Sequence, residues 1–230
     1  MSNNFSLTTF SSDGSLDQVN NAITAANNGE TSLALKTKDG IIIASEKNLH
    51  SILVDSKSYS KILNASQYIG VSYSGLTPDS KVLLKKARKE FQSYKLKFMD
   101  DLMPVHSLAR EVANVMQEFT QEGGVRPFGV CLLMAGYDRS GYHLYEIDPS
   151  GAYYELKAAA IGKNKNRATQ NLERRYNDSL SIDDGLNVII STLREGYDGE
   201  VNENNIEISI IKKNGFQLLA PEEVKNYLKE

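Results

Sequence analysis

The stretch Val115–Tyr137, VMQEFTQEGGVRPFGVCLLMAGY, admits one order of elements: a helix, a stop and a buried strand. Val115, Met116 and Phe119 extend an apolar stripe begun by Val105, Leu108, Ala109 and Val112, at the three-and-four spacing of one helix face. Gly123 and Gly124 can take the positive φ that ends a helix, and Pro127, lacking an N–H, cannot resume one. The run Val130–Ala135 is then apolar at every position. It is far shorter than the roughly 20 residues a membrane span needs. A strand apolar on both faces must be covered on both, so the chain that contains it is built in layers.

The rest of the chain supplies those layers. Leu16–Asn27 predicts a short helix with Leu16, Val19, Ile23 and Ala26 on one narrow face. Leu33–Thr37 and Ile41–Ser45 flank Asp39-Gly40, read as a hairpin with a positive-φ turn. A second pair is expected at Ile62–Leu63 and Tyr68–Tyr73. Thr77-Pro78-Asp79 reads as a helix start with Thr77 as the capping hydroxyl, and the helix runs to about Phe98, burying Val82, Leu83, Ala87, Phe91 and Tyr94. Val105–Glu122 is the next helix. Strands follow at Gly129–Tyr137, Tyr142–Ile147 and Ala152–Ile161, then helices at Arg167–Tyr176 and Ile182–Glu195. Strands Ile206–Ile211 and Phe216–Leu218 and a helix opened by Pro221 close the sequence. Strands, two helices, strands, two helices imply an α+β fold of two sheets face to face, each with a helix pair on its outer side. Residues 1–28 read as an arm and a contact helix, and 29–230 as a single sandwich domain.

Composition removes several function classes. A net charge of −3 gives no general affinity for nucleic acid or an anionic membrane surface. The basic run Lys85, Lys86, Arg88, Lys89 falls on a helix and reads as a solvated face. The lone cysteine, Cys131, lies inside the apolar strand and reads as a small core hydrophobe. His50, His106 and His143 are scattered, so no metal site and no cofactor are expected. The first ten residues carry no signal-peptide pattern, which makes the cytoplasm, with the nucleus, the expected compartment.

The segment QEFTQEGGVRPFGV closely resembles the signature of proteasome α-type subunits. FSLTTFSSDGSLDQV, LLKKARKEFQSY, IDPSGAYYELKAAAIGKN, LERRYND and NIEISI extend the resemblance over nearly the whole chain, and look most like the eukaryotic type-2 α-subunit. The resemblance implies the four-layer αββα sandwich of N-terminal nucleophile hydrolases. It implies a seven-membered α-ring stacked on a β-ring in the 20S core particle, serving ubiquitin-dependent and ubiquitin-independent degradation.

Active β-type subunits attack with the hydroxyl of an N-terminal threonine, whose own amine is the base. With Gly40 as anchor, that position falls on Glu30, which cannot act so. Thr31 is one residue away, but a one-residue slip would turn every side chain of the strand to the other face. Glu46 and Lys61 stand where active subunits place an aspartate and a lysine. Without a nucleophile they make no hydrolase, and no catalytic residue is assigned. The alternatives are an active β-type threonine peptidase and an unrelated adaptor on the same fold.

As an α-type subunit, the chain would use Leu16, Val19 and Ile23 against a ring neighbour, or pack them on its own domain. Phe5, Leu7 and Phe10 would anchor the gate arm over the axial pore. Lys61, with Gly75 and Leu76, would form a pocket that receives the terminal carboxylate of an activator's tail. One departure stands out. The family's gate segment runs Tyr-Asp, Phe-Ser-Pro and Glu-Tyr, where this chain has Asn3-Asn4, Phe10-Ser11-Ser12 and Asn20-Asn21.

Overall fold

The computed structural model describes residues 8–48, 51, 53–197 and 201–229. Helix α1 (Asp17–Asn27) precedes strands β1 (Ser32–Lys36), β2 (Ile41–Glu46), β3 (Ile62–Asn64) and β4 (Ile69–Gly75). Helices α2 (Thr77–Phe98) and α3 (Val105–Gln121) are followed by β5 (Val130–Asp138), β6 (Gly141–Ile147), β7 (Tyr153–Glu155) and β8 (Ala158–Ile161). Then come α4 (Lys165–Arg175), α5 (Ile182–Gly196), β9 (Ile206–Lys212), β10 (Gly215–Leu218) and α6 (Pro221–Lys229).

The strands form two five-stranded antiparallel sheets, ordered β10-β9-β2-β1-β8 and β3-β4-β5-β6-β7. The unbroken apolar run of β5 is divided by the two-residue period of a strand. Cys131, Leu133 and Ala135 join Ala34, Ile41, Ile43 and Ile211 of the other sheet, while Val130, Leu132 and Met134 pack with α2 and α3. Leu33, Leu35, Ile42 and Ile208 meet α4, α5 and α6 on the far side. The result is the αββα sandwich expected from the element order.

Four local expectations need correcting. The stretch Ala152–Ile161 is two strands: Tyr153–Glu155 pairs with β6, whereas Ala158–Ile161 pairs with β1 in the opposite sheet. Gly40 does not have positive φ; its need for glycine is space, because a Cβ would come 2.6 Å from the Ile211 carbonyl oxygen. Thr77 does not cap α2: Leu76 holds the cap position without a side-chain bond, and Asp79 turns instead to Arg126. Val82 is exposed on α2, and Leu84 takes the buried place.

Helix α1 is fastened to its own sandwich. Val19, Ala22 and Ala26 are buried, Ala26 joins the layer between the sheets, and Ser74 Oγ donates to the Ala26 carbonyl at 2.8 Å. Ahead of α1, Ser11 Oγ and Ser15 close residues 11–15 into a turn, with Gly14 at positive φ.

Candidate functional site

The end of α1 delivers the chain through Gly29 to Glu30, immediately ahead of β1. The passage is tight: a Cβ on Gly29 would lie 2.1 Å from the Gly75 nitrogen. The Gly29 carbonyl accepts the Lys163 N–H at 2.9 Å, which pins the main chain from the other side. Glu30 therefore has a fixed backbone, and only its side chain is free to choose a partner.

That partner is Lys61. The Lys61 ammonium lies 3.0 Å from Glu30 Oε2 and 4.2 Å from the centroid of the Tyr73 ring. Lys61 is 2% exposed, against 20% for the Glu30 side chain, so the carboxylate lies on the solvent side of the pair. A buried ammonium is tolerable when a carboxylate and a ring face replace its water. Glu30 also accepts the Asn48 N–H at 3.1 Å and the Tyr59 hydroxyl at 3.5 Å. Burial, then the negative charge of Glu30, push the Tyr59 hydroxyl's pKa above its ordinary value.

A second acidic residue holds the main chain beneath Lys61. Glu207 of β9 accepts the N–H groups of Lys61 and Ile62 at 2.8 and 2.9 Å and the Ser60 hydroxyl at 2.8 Å, and pairs with Lys47 at 3.3 Å. Glu46, the other carboxylate singled out by sequence, is 2% exposed. It pairs with Lys163 at 3.3 Å and accepts the Thr31 N–H at 3.2 Å. Lys61 and Glu46 thus have separate partners rather than each other. Thr31 is buried, its nitrogen is a hydrogen-bonded peptide N–H, and its hydroxyl is reached by Asn164 Nδ2 at 3.4 Å. It has neither an exposed hydroxyl nor a free amine.

Of the other predicted residues, Gly75 has φ +109°, and a Cβ there would meet the Gly129 carbonyl oxygen at 2.2 Å and Ala26 Cα at 3.0 Å. The position therefore has room for glycine alone on its inner side. Leu76 is exposed beside it. Val19 is buried within the chain, while Leu16 and Ile23 stay half-buried. Phe10 is exposed; Phe5, Leu7 and His50 lie outside the described residues. Lys85, Lys86 and Lys89 are exposed, and Arg88 clamps the Asn64 carbonyl at 2.8 and 2.9 Å. His106 and His143 both pack on Tyr145, and His143 bonds Glu155 at 2.7 Å. Sequence reasoning missed Tyr59, Tyr73 and Glu207. Tyr73 of β4 and Glu207 of β9 reach Lys61 from distant strands, and Tyr59, two residues before it, joins through Glu30, so no local pattern marks the set.

An αββα sandwich of two antiparallel sheets, with an ion-paired glutamate ahead of its first strand, has the layered architecture of the N-terminal nucleophile hydrolase type. The chain belongs to the proteasome subunit family, whose model matches residues 26–211. It is 51% identical over 227 residues to "Proteasome subunit alpha type-2" of Oryza sativa subsp. indica, covering 98% of this chain and 96% of the relative. Similar matches are the alpha type-2 subunits of Dictyostelium discoideum, 48% identical over 225 residues, and of Caenorhabditis elegans, 44% over 226. These cover 97% of this chain and 96% of each relative.

Proposed function

We propose that this chain is a non-catalytic α-ring subunit of the proteasome core particle, acting in ring assembly, axial gating and docking of activator tails. The observation that supports the reading is the Glu30–Lys61 ion pair: the residue that the Gly40 anchor sets at the nucleophile position is a carboxylate, and Lys61 engages it. Its relatives' names favour the α-type over the β-type peptidase. The ring contact is carried by Leu16 and Ile23, because Val19 is spent on the chain's own packing. Phe10, exposed ahead of the 11–15 turn, leads into the gate arm formed with Phe5 and Leu7. Lys61, Gly75 and Leu76 serve the tail pocket. The ring sits on a β-ring, in the cytoplasm and nucleus.

Native mass spectrometry of the purified particle, combined with a threonine-directed covalent inhibitor, tests this. The expected result is a many-chain assembly in which this chain is present and unlabelled. A chain recovered alone, or labelled at Thr31, would overturn it.

A further inference from the structure

We infer that Glu30 is a built-in competitor for the carboxylate that Lys61 is proposed to receive, and so sets how strongly this pocket takes a tail; the inference rests on the docking role proposed above. The Lys61 ammonium has a ring on one side and Glu30 on the solvent side. The main chain cannot withdraw, since Gly29 is wedged against Gly75 and tied to Lys163. A carboxylate arriving from solvent gains Lys61 only by turning the Glu30 side chain out of its place.

That exchange replaces one carboxylate with another. It also breaks the bonds that the Asn48 N–H and the Tyr59 hydroxyl make to Glu30. The displaced Glu30 remains at the mouth as a like charge. The incoming group therefore wins only the difference between two similar pairs, set against that repulsion. The pocket is occupied by its own chain at rest and selects for tails whose remaining contacts can supply the deficit. Leu76, exposed next to Gly75, is the apolar surface available for such contacts.

The test uses assembled particles carrying variants of this chain. The probes are a fluorescent octapeptide ending in Leu-Tyr-Ala with a free carboxylate, and its C-terminal amide. Glu30→Gln should bind the free-carboxylate peptide about tenfold tighter, or more, because the competing charge is gone. The amide should bind wild type and variant alike. Glu30→Gln leaves a buried ammonium unpaired and can impair assembly. Glu30→Asp keeps the pair, shortens its reach, and should give a smaller gain of the same sign. If Lys61→Gln abolishes binding while both Glu30 variants bind as wild type does, Glu30 is no competitor and the docking role stands alone. If Lys61→Gln leaves binding unchanged, the docking role fails and the inference with it.

Discussion

Asp79 sits at the start of α2 but acts on the segment that opens β5, so removing it should loosen the junction between helix pair and sheet. The Gly129 N–H is buried and donates to Asp79 Oδ2 at 3.0 Å, while Arg126 forks onto both carboxylate oxygens at 2.7 and 2.9 Å. These contacts differ in weight. A buried N–H bonded to a charged group is worth about 1.5–3 kcal/mol. The Arg126 side chain is 60% exposed, which limits its share to at most about 1 kcal/mol. Asp79→Ala should therefore cost about 2–4 kcal/mol, and Arg126→Ala less than about 1 kcal/mol. With a urea m-value of about 3 kcal/mol/M, the Asp79→Ala midpoint should fall by about 1 M with m unchanged.

The pH dependence carries a second check. Burial alone would raise the Asp79 pKa; the hydrogen bonds from Arg126 and Gly129, with the Arg126 charge, outweigh it and hold the carboxyl below its ordinary value. A group depressed in the folded state stabilises above its unfolded pKa, about 3.9 for aspartate, and loses that contribution as pH falls through the folded value. The gap between wild type and Asp79→Ala should therefore narrow in acid below pH 4. Urea titrations of the purified chain at pH 7 and pH 3 measure both effects. Equal losses for Asp79→Ala and Arg126→Ala at pH 7 would refute the partition, because the exposed fork would then outweigh the buried N–H.

Glu207→Ala should destabilise by about 3 kcal/mol or more, since two buried N–H groups lose their acceptor and Lys47 its partner; a midpoint shift below that of Arg126→Ala would contradict this. Leu16→Asp with Ile23→Asp should keep the isolated chain's unfolding midpoint and block incorporation into the particle, whereas Val19→Asp should lower the midpoint itself; unchanged incorporation of the double variant would remove the proposed ring contact. Burial raises the Cys131 thiol's pKa, so the thiol should resist iodoacetamide in the native chain and react once it unfolds. Because the folded pKa is raised, that burial costs nothing below the unfolded thiol's value near 8.5 and erodes stability above it. Labelling of Cys131 without unfolding would show an access path that the packing does not contain.

The layers were legible because they rest on periodicity. Val130–Ala135, apolar at every position, demanded cover on both faces and divides between the inter-sheet and helix-facing clusters. Ser181 caps α5 by a purely local bond, its oxygen accepting the Asp184 N–H at 3.2 Å. What escaped depended on distant partners. The split in Ala152–Ile161 is invisible to a pattern of small and apolar residues that suits either sheet. Asp79 reads as helix-start acid until Arg126 and Gly129, nearly 50 positions on, are brought to it. Glu30 and Lys61 were each singled out alone, as a missing nucleophile and a docking cation. Their meeting required the tight passage of Gly29 against Gly75.

The strand change at Leu156–Lys157 has a mechanical consequence. Three residues of one continuous stretch are bonded into the β3–β7 sheet and the next four into the β10–β8 sheet, with the Leu156 N–H still bonded to the Leu144 carbonyl at 2.8 Å and the Lys36 N–H to the Lys157 carbonyl at 2.8 Å. The two layers share a seam of main chain as well as a greasy interior. A pull on this stretch would load both ladders at once, as a stitch passed through two cloths does, and neither sheet could slide over its neighbour without tearing its own edge.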